Sequence, residues 1–316
     1  MTVTVFLGAC ALDLAIGDPR WLPHPIRGIG RLIGWIEPAL HSTARRPVIA
    51  IWAGVAVALV VPVLTYLVVW GWVAGAHQVH PELGLVVELV FSFFALAARD
   101  LQDHAKAVEQ ALVGGSLGNA RQAVGRIVGR DTASLSESEV VRATIETVAE
   151  STCDGIVAPL FFLALGGAPL AWAYKAVNTL DSMIGHPEPP YRDLGWASAR
   201  LDDVMNWLPA RVTGLLIVAA AGLRFLSLAR LRQAWMILRR DGRRHPSPNS
   251  GRPEAAMAGA LLVRLGGVNV YEGIAKERPM IGADVRPLTL DLIPESLSLM
   301  WVASALAAAL ACWVLW

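Results

Sequence analysis

The sequence predicts an all-α fold: a polytopic integral membrane helix bundle with cytoplasmic helical segments. Three observations carry that prediction. Of the 316 residues, 55% are apolar and only 17% charged, whereas soluble domains run near 45–50% and about 25%. No Asp, Glu, Lys or Arg occurs from Pro47 to Ala76, from Gly155 to Tyr174 or from Ser298 to Trp316. Runs of about 18 or more such residues can cross ~30 Å of hydrocarbon as helix. Finally, backbone in lipid must bond internally, and nothing here alternates like a barrel strand.

Taken in order, the apolar segments lie at about 3–16, 48–74, 83–98, 155–174, 204–223 and 298–316 of a single membrane domain, 1–316. The first is short for a span. The second is the clearest span, with Trp70 and Trp72 suited to an interface. The third carries Glu88 and spans only if that carboxylate faces protein. The fifth carries Arg211. Between them, 18–46, 99–154 and 224–297 hold 5, 6 and 12 Lys/Arg, against 3 in 175–203. Seven Arg fall within 224–244 alone. The positive-inside tendency therefore places 18–46, 99–154 and 224–297 in the cytoplasm.

The start of the chain does not read as a cleaved signal peptide, because no basic residue precedes Val3–Ile16 and no A-x-A site closes it. Leu7-Gly8-Ala9-Cys10 has the form of a lipoprotein box, but without a basic start lipidation is not expected. Cys10, Cys153 and Cys312 show neither zinc-ligand nor disulfide spacing. A net charge of +1 argues against a nucleic-acid partner.

The cytoplasmic segments look folded. Leu101, Ala105, Val108 and Leu112 recur at helical spacing until Gly114-Gly115. Ser136 with Glu139 has the form of a capping box, flanked by Leu135 and Val140, so a helix should begin near Glu137. That helix puts Arg142, Glu146 and Glu150 on one face at i, i+4 spacing, with Asp154 a turn on. Two readings stand: a solvated face with Arg142 pairing Glu146, or an acidic cluster for a divalent metal or general base work. Lys175, Asn178, Asp181, Ser182 and His186 follow the fourth apolar segment, and Arg200, Asp202, Asp203 and Asn206 precede the fifth. These groups either anchor helix ends or form a Mg²⁺ pocket for a phosphorylated ligand. Ser247 to Glu254 reads as a turn feeding a helix with Pro253 at its first position, whose free N–H groups beside Arg252 suit an anion. Arg20, His24 and Arg27 sit in a Pro-rich stretch at a membrane surface, where headgroup anchoring is the plain alternative. No GxxxxGK[ST], GxGxxG after a strand, HExxH or GxSxG occurs, so a nucleotide must be held without a P-loop.

Six ordered blocks together resemble the CobD/CbiB cobalamin-biosynthesis family, the adenosylcobinamide-phosphate synthases. They are LDLAIGDPRWLPHPIRGIGRLI (12–33), GRDTASLSESEVVRATIETVAESTCDGIVAPLFF (129–162), YKAVNTLDSMIGH (174–186), ARLDDVMNWLPAR (199–211), SPNSGRPEAAMAGAL (247–261) and GGVNVYEG (266–273). Leu262 stands where that pattern suggests a small residue. The resemblance implies an ATP-dependent amide-bond synthase, multi-pass in the cell inner membrane. It would join the propionate of adenosylcobyric acid, a corrinoid, to aminopropanol phosphate, with ATP as co-substrate and Mg²⁺ as cofactor. The lipid bilayer and other enzymes of the pathway would be its partners.

The resemblance does not distribute roles among residues; residue chemistry does. Glu146, Glu150, Asp181 and His186 are expected to be catalytic, and Asp154, Asp181, Asp202 and Asp203 to bind metal. Arg20, His24, Arg27, Asn178, Arg200, Asn206, Asn249, Ser250, Gly251, Arg252, Glu254 and Asn269 are expected to bind substrate. The rival class is a membrane transporter of a small anionic or corrinoid ligand, since Gly166-Gly167-Ala168-Pro169 could break its helix. The same break answers a conflict of topology. Simple alternation puts 175–203 outside, yet the implied substrates are cytoplasmic. A broken segment at 155–174 that returns, or is shielded within the bundle, would bring Asp181 and Asp202 towards Glu150 and Asn249.

Overall fold

Long uncharged segments become helices because their backbone groups find no partner in lipid except one another. The computed structural model describes residues 1–19, 24–41 and 46–316. Its elements are α1 (Val3–Ile16), α2 (Ile26–His41), α3 (Pro47–Val79), α4 (Pro81–Ala95), α5 (Ala98–Val113), α6 (Leu117–Val124) and α7 (Glu137–Ser151). A π-helical turn, Thr152–Val157, leads into α8 (Ala158–Ile184), followed by α9 (Tyr191–Leu194), α10 (Trp196–Met205), α11 (Trp207–Arg224) and α12 (Leu228–Asp241). Then come α13 (Gly251–Leu261), β1 (Arg264–Tyr271), β2 (Ile274–Gly282) and α14 (Leu292–Leu315).

Among the described residues, five helical stretches are long and apolar enough to cross a membrane: Pro47–Val79, Pro81–Val113, Glu137–Ile184, Trp207–Arg224 and Leu292–Leu315. By length and composition this is an all-α, multi-pass membrane protein. The five match the five stronger apolar segments of the sequence, and the weak sixth is the 14-residue helix α1. The chain forms two compact units. Unit 1 is Met1–Ala97, Ala158–Asn206 and Leu310–Trp316; unit 2 is Ala98–Val157 and Trp207–Ala309.

In unit 1, α3 packs on α4 and α8, α1 on α4, and α2 on α8. Trp52, Leu59, Val63, Leu67, Trp70 and Trp72 of α3 stay exposed, as a lipid-facing band requires. Gly54 permits a close approach: a Cβ there would lie 2.0 Å from the Leu194 carbonyl oxygen of α9. Glu88 is buried, as the sequence demanded, with Oε1 3.7 Å from the Met1 amino group. The break expected at Gly166-Gly167 is present: Gly166 (φ −148°, ψ 19°) and Gly167 (φ 66°, ψ −164°) leave helical geometry inside α8. Gly167, Ala168 and Pro169 are buried, which is the condition for irregular backbone at such depth.

Unit 2 is arranged around α13, which packs on α11, α12 and α7 and is buried along nearly its whole length. Gly259 lets α12 approach, since a Cβ would lie 2.7 Å from the Ala234 Cα. The predicted capping box is realised: Ser136 Oγ accepts from the Glu139 N–H, and Glu139 Oε2 accepts from the Ser136 N–H at 2.8 Å. Two expectations are corrected. Helix α13 starts at Gly251, with Ser250 as its N-cap, so Pro253 is its third residue rather than its first. And 264–282, read as part of a polar helical segment, contains an antiparallel hairpin. Its ends close through Glu272 (φ 50°) and Gly273 (φ 77°), the doubly positive φ of a two-residue hairpin turn. Leu262 (φ 63°) caps α13 in the left-handed region, which is where a smaller residue would relieve strain.

Candidate active site

Helix α7 carries the acidic face seen in the sequence, and the chain turns that face inward. Glu146 is buried, and both of its oxygens are occupied. Oε2 pairs with Arg130, while Oε1 accepts from the Gly266 N–H at 2.9 Å and lies 3.9 Å from Arg142 Nη1. Arg142 also donates to the Gly266 carbonyl and, at 3.1 Å each, to Val268 O and Asn269 Oδ1. Arg130 Nη1 reaches the same Asn269 Oδ1 at 2.8 Å. The solvated-face reading is therefore excluded for Glu146. It and two arginines fasten the hairpin to α7.

A turn further along, Glu150 Oε1 accepts from Ser250 Oγ at 2.9 Å. Ser250 belongs to the turn ahead of α13, where Ser247 Oγ accepts the N–H groups of Asn249 and Ser250, each at 3.2 Å. Arg252 Nε is buried without a hydrogen-bond partner. Burial and the neighbouring Arg243 hold Arg252 below its ordinary basicity. Glu254, in the first turn of α13, is wholly buried. Burial first, then Glu146 and Glu150, keep its carboxyl protonated well beyond the usual carboxylate range, against the pull of Arg278 and Arg130. His245 is held below its ordinary value by burial and by Arg278. Nearby, buried Asp241 is lowered despite its desolvation, because Arg240, the Gly282 N–H and Arg244 favour the charged form.

The second polar cluster lies in unit 1. Asp202 accepts from Asn178 Nδ2 at 3.3 Å and from Asn206 Nδ2 at 3.0 and 3.1 Å. Tyr174 OH donates to Asn206 Oδ1 at 2.9 Å. Asp203, raised by burial, is opposed by Arg200, whose Nη1 lies 3.2 Å away. Asp181 sits on α8 close to Gly185, where a Cβ would meet its Oδ1. Exposed His186 stacks edge-on with Tyr191, and Arg27 is exposed. His24 Nε2 lies 3.1 Å from Asp18 Oδ2, its Nδ1 accepts the Ile26 N–H, and its ring packs against Phe94. Arg20 falls outside the described residues.

Of the expected residues, Glu146, Glu150, Asn249, Ser250, Gly251, Arg252, Glu254 and Asn269 meet within unit 2, whereas Asn178, Arg200, Asp202, Asp203 and Asn206 cluster in unit 1. Asp154 lies in the π-helical turn. Among the described residues no three His, Cys, Asp or Glu side chains gather as a metal site. Arg130, His245, Tyr271 and Arg278 were not singled out from sequence. Their partners are distant in the chain.

The CobD/Cbib protein family model matches residues 6–300. A cobalamin biosynthesis protein CobD of Geobacter metallireducens is 51% identical over 307 residues, 97% of this chain and 95% of that one. The CobD of Klebsiella pneumoniae is 50% identical over 311 residues, 98% and 96% of the two chains. The cobalamin biosynthesis protein CbiB of Salmonella typhi is 48% identical over 312 residues, again 98% and 96%. No solved structure matches.

Proposed function

The chain belongs to the CobD/Cbib protein family, and from that premise we propose that it works in cobalamin biosynthesis as an adenosylcobinamide-phosphate synthase of the cell inner membrane. The observation that best supports this reading is the buried polar cluster of unit 2. There, three of the six sequence blocks converge through Glu146, Glu150, Ser250, Arg252 and Asn269.

The chemistry sets the demands. The propionate of adenosylcobyric acid is a carboxylate and resists amine attack, so ATP first converts it to an acyl phosphate or acyl adenylate. The amine of aminopropanol phosphate then attacks the acyl carbon. A C–N bond forms, the C–O bond to the phosphoryl group breaks, and phosphate or AMP leaves while a base takes the ammonium proton. Glu150, oriented by Ser250, is the carboxylate beside the α13 turn and suits the base. Arg252, whose buried Nε has no partner among the described residues, suits phosphoryl oxygens. Glu146, locked by Arg130 and Arg142, acts as a positioning residue.

Mg²⁺ bound to nucleotide keeps several waters and asks the protein for only one or two carboxylates. Asp181, Asp202 and Asp203 of unit 1, or Asp154 of unit 2, would supply such a carboxylate, which suits an ion carried on phosphates. When bound, the ion neutralises charge on phosphoryl oxygens. Within unit 1, His24, Asn178, Arg200 and Asn206 are taken as substrate-binding groups, with His186 as a further acid–base group.

Purified chain incubated with ATP, Mg²⁺, adenosylcobyric acid and aminopropanol phosphate should yield adenosylcobinamide phosphate, with ADP or AMP naming the activated intermediate. Absence of product would end the proposal. A second reading, transport of a small anionic or corrinoid ligand, has the broken helix α8 beside buried Glu88 in its favour. Ligand uptake into proteoliposomes without ATP turnover would select it. Efficient labelling of a single cysteine at Ser182 by an impermeant reagent from the periplasm would contradict a cytoplasmic site on 175–203.

A further inference from the structure

His245 is caught between two donors. A neutral imidazole has one N–H and one acceptor nitrogen. The Ser247 N–H aims at Nδ1 at 3.0 Å, and Arg278 Nη1 lies 3.1 Å from Nε2. With Nδ1 accepting, the proton sits on Nε2 and faces a guanidinium N–H. The other tautomer merely moves the conflict to Ser247, and the imidazolium meets it at both nitrogens. Among the described residues nothing accepts from the donor that is left over.

Two further features converge on the same point. Glu254 Oε1 lies 3.9 Å from His245 Nε2, is fully buried and has no hydrogen-bond partner. Arg278 donates through Nη2 to Tyr271 OH at 2.8 Å. Among the described residues no carboxylate lies within ion-pair distance of Arg278, because Glu146 is engaged by Arg130 and Arg142 and Glu150 by Ser250. Its charge is left available beside the turn that opens α13.

We propose that His245, Arg278 and Glu254 form an oxyanion subsite that takes a phosphoryl group, either that of the phosphorylated amine or one of the nucleotide's. One oxygen between Nε2 and Nη1 accepts from both and removes the donor–donor conflict. Glu254 completes the subsite as a neutral acid, donating its O–H. The groups facing it are His245, Glu146 and Glu150 of α7, Arg278 of β2, and Arg130. Once ionised, it repels the anion instead, so binding weakens as pH rises. The inference rests on the synthase reading for the identity of its ligands, but not for the existence of the subsite.

Detergent-solubilised full chain is titrated calorimetrically with inorganic phosphate, with aminopropanol phosphate and with a non-hydrolysable ATP analogue. Arg278→Gln should weaken phosphate binding roughly ten- to hundredfold, the loss expected of a charge-assisted contact. Glu254→Gln, which keeps a donor at that position, should retain phosphate binding at the higher pH where wild type loses it. Whichever organic probe loses affinity together with phosphate names the source of the phosphoryl group. As a measurement needing no variant, phosphate should protect Arg278 of the wild-type chain from phenylglyoxal, read by peptide mass. Wild-type affinity for all three probes in Arg278→Gln and His245→Gln, or no protection of Arg278, overturns the subsite. Phosphate bound through Arg278 without any synthase product would defeat the synthase reading and leave the subsite standing. Product formed by Arg278→Gln with an unchanged KM would do the reverse.

Discussion

Units 1 and 2 are both mainly helical and both contain apolar spans, yet they bury charge to different extents. Unit 1 exposes Trp, Val and Leu along α3 and quiets its main polar cluster with neutral amides, as Asn178 and Asn206 do for Asp202. Unit 2 buries Arg130, Arg142, Glu146, Asp241 and Glu254 outright. Buried charges are costly to desolvate and repay that cost only with good geometry and full hydrogen bonding. The contrast teaches that apolar packing holds unit 1, whereas part of unit 2 depends on an ionic network that must be complete to be tolerated.

Removing one member of that network is the most severe test. Glu146→Ala strands Arg130 and Arg142, and should cost about 3–5 kcal/mol by denaturant unfolding of the solubilised chain. A loss below about 1 kcal/mol would erase the contrast. Unit 1 should respond instead to shape. Gly54→Val drives a side chain into the Leu194 carbonyl, a backbone atom that cannot swing aside, and should cost roughly 1–3 kcal/mol in the same assay. The Arg200–Asp203 pair lies at the surface of unit 1, with the arginine 66% exposed. Arg200→Ala should therefore change stability by no more than about 1 kcal/mol. A larger loss would mean that unit 1, too, relies on ion pairs. The smallest effect at acid pH belongs to Glu254→Gln. Folding raises the Glu254 pKa, so the native chain binds its proton more tightly than the unfolded one. Wild-type stability then falls as pH climbs above the ordinary carboxylate value of 4.5, while the Gln variant lacks this slope. Thermal midpoints measured across pH should diverge in favour of the variant, and parallel curves would show that Glu254 is not raised.

Local sequence signals were readable. Uncharged runs gave the spans, Gly166-Gly167 gave the break in α8, and Ser136 with Glu139 gave the start of α7. The i, i+4 spacing put Glu146 and Glu150 on one face, but could not say which way that face points. Arg130 and Asn269 settle it, and Asn269 is 123 residues beyond Glu146. The hairpin escaped because Gly266-Gly267 reads as a loop, although Val268-Asn269-Val270-Tyr271 followed by Glu272-Gly273 alternates and then turns, which is a usable strand signal. Nothing in the composition of Thr152–Val157 announces a π-helical turn. His245 and Arg278 become a pair only when β2 folds back, so no spacing rule could join them.

A two-stranded ribbon on its own is marginal in water, and Val268, Ile274 and Met280 of this one stay exposed. Its attachment is electrostatic at the Gly266 end, where Arg142 grips the Gly266 and Val268 carbonyls and Glu146 takes the Gly266 N–H. Strand β1 and helix α7 therefore behave as one foldon. Their amides should exchange with solvent deuterium in a single cooperative opening, because releasing the ribbon strands two guanidinium groups in the interior at the same moment.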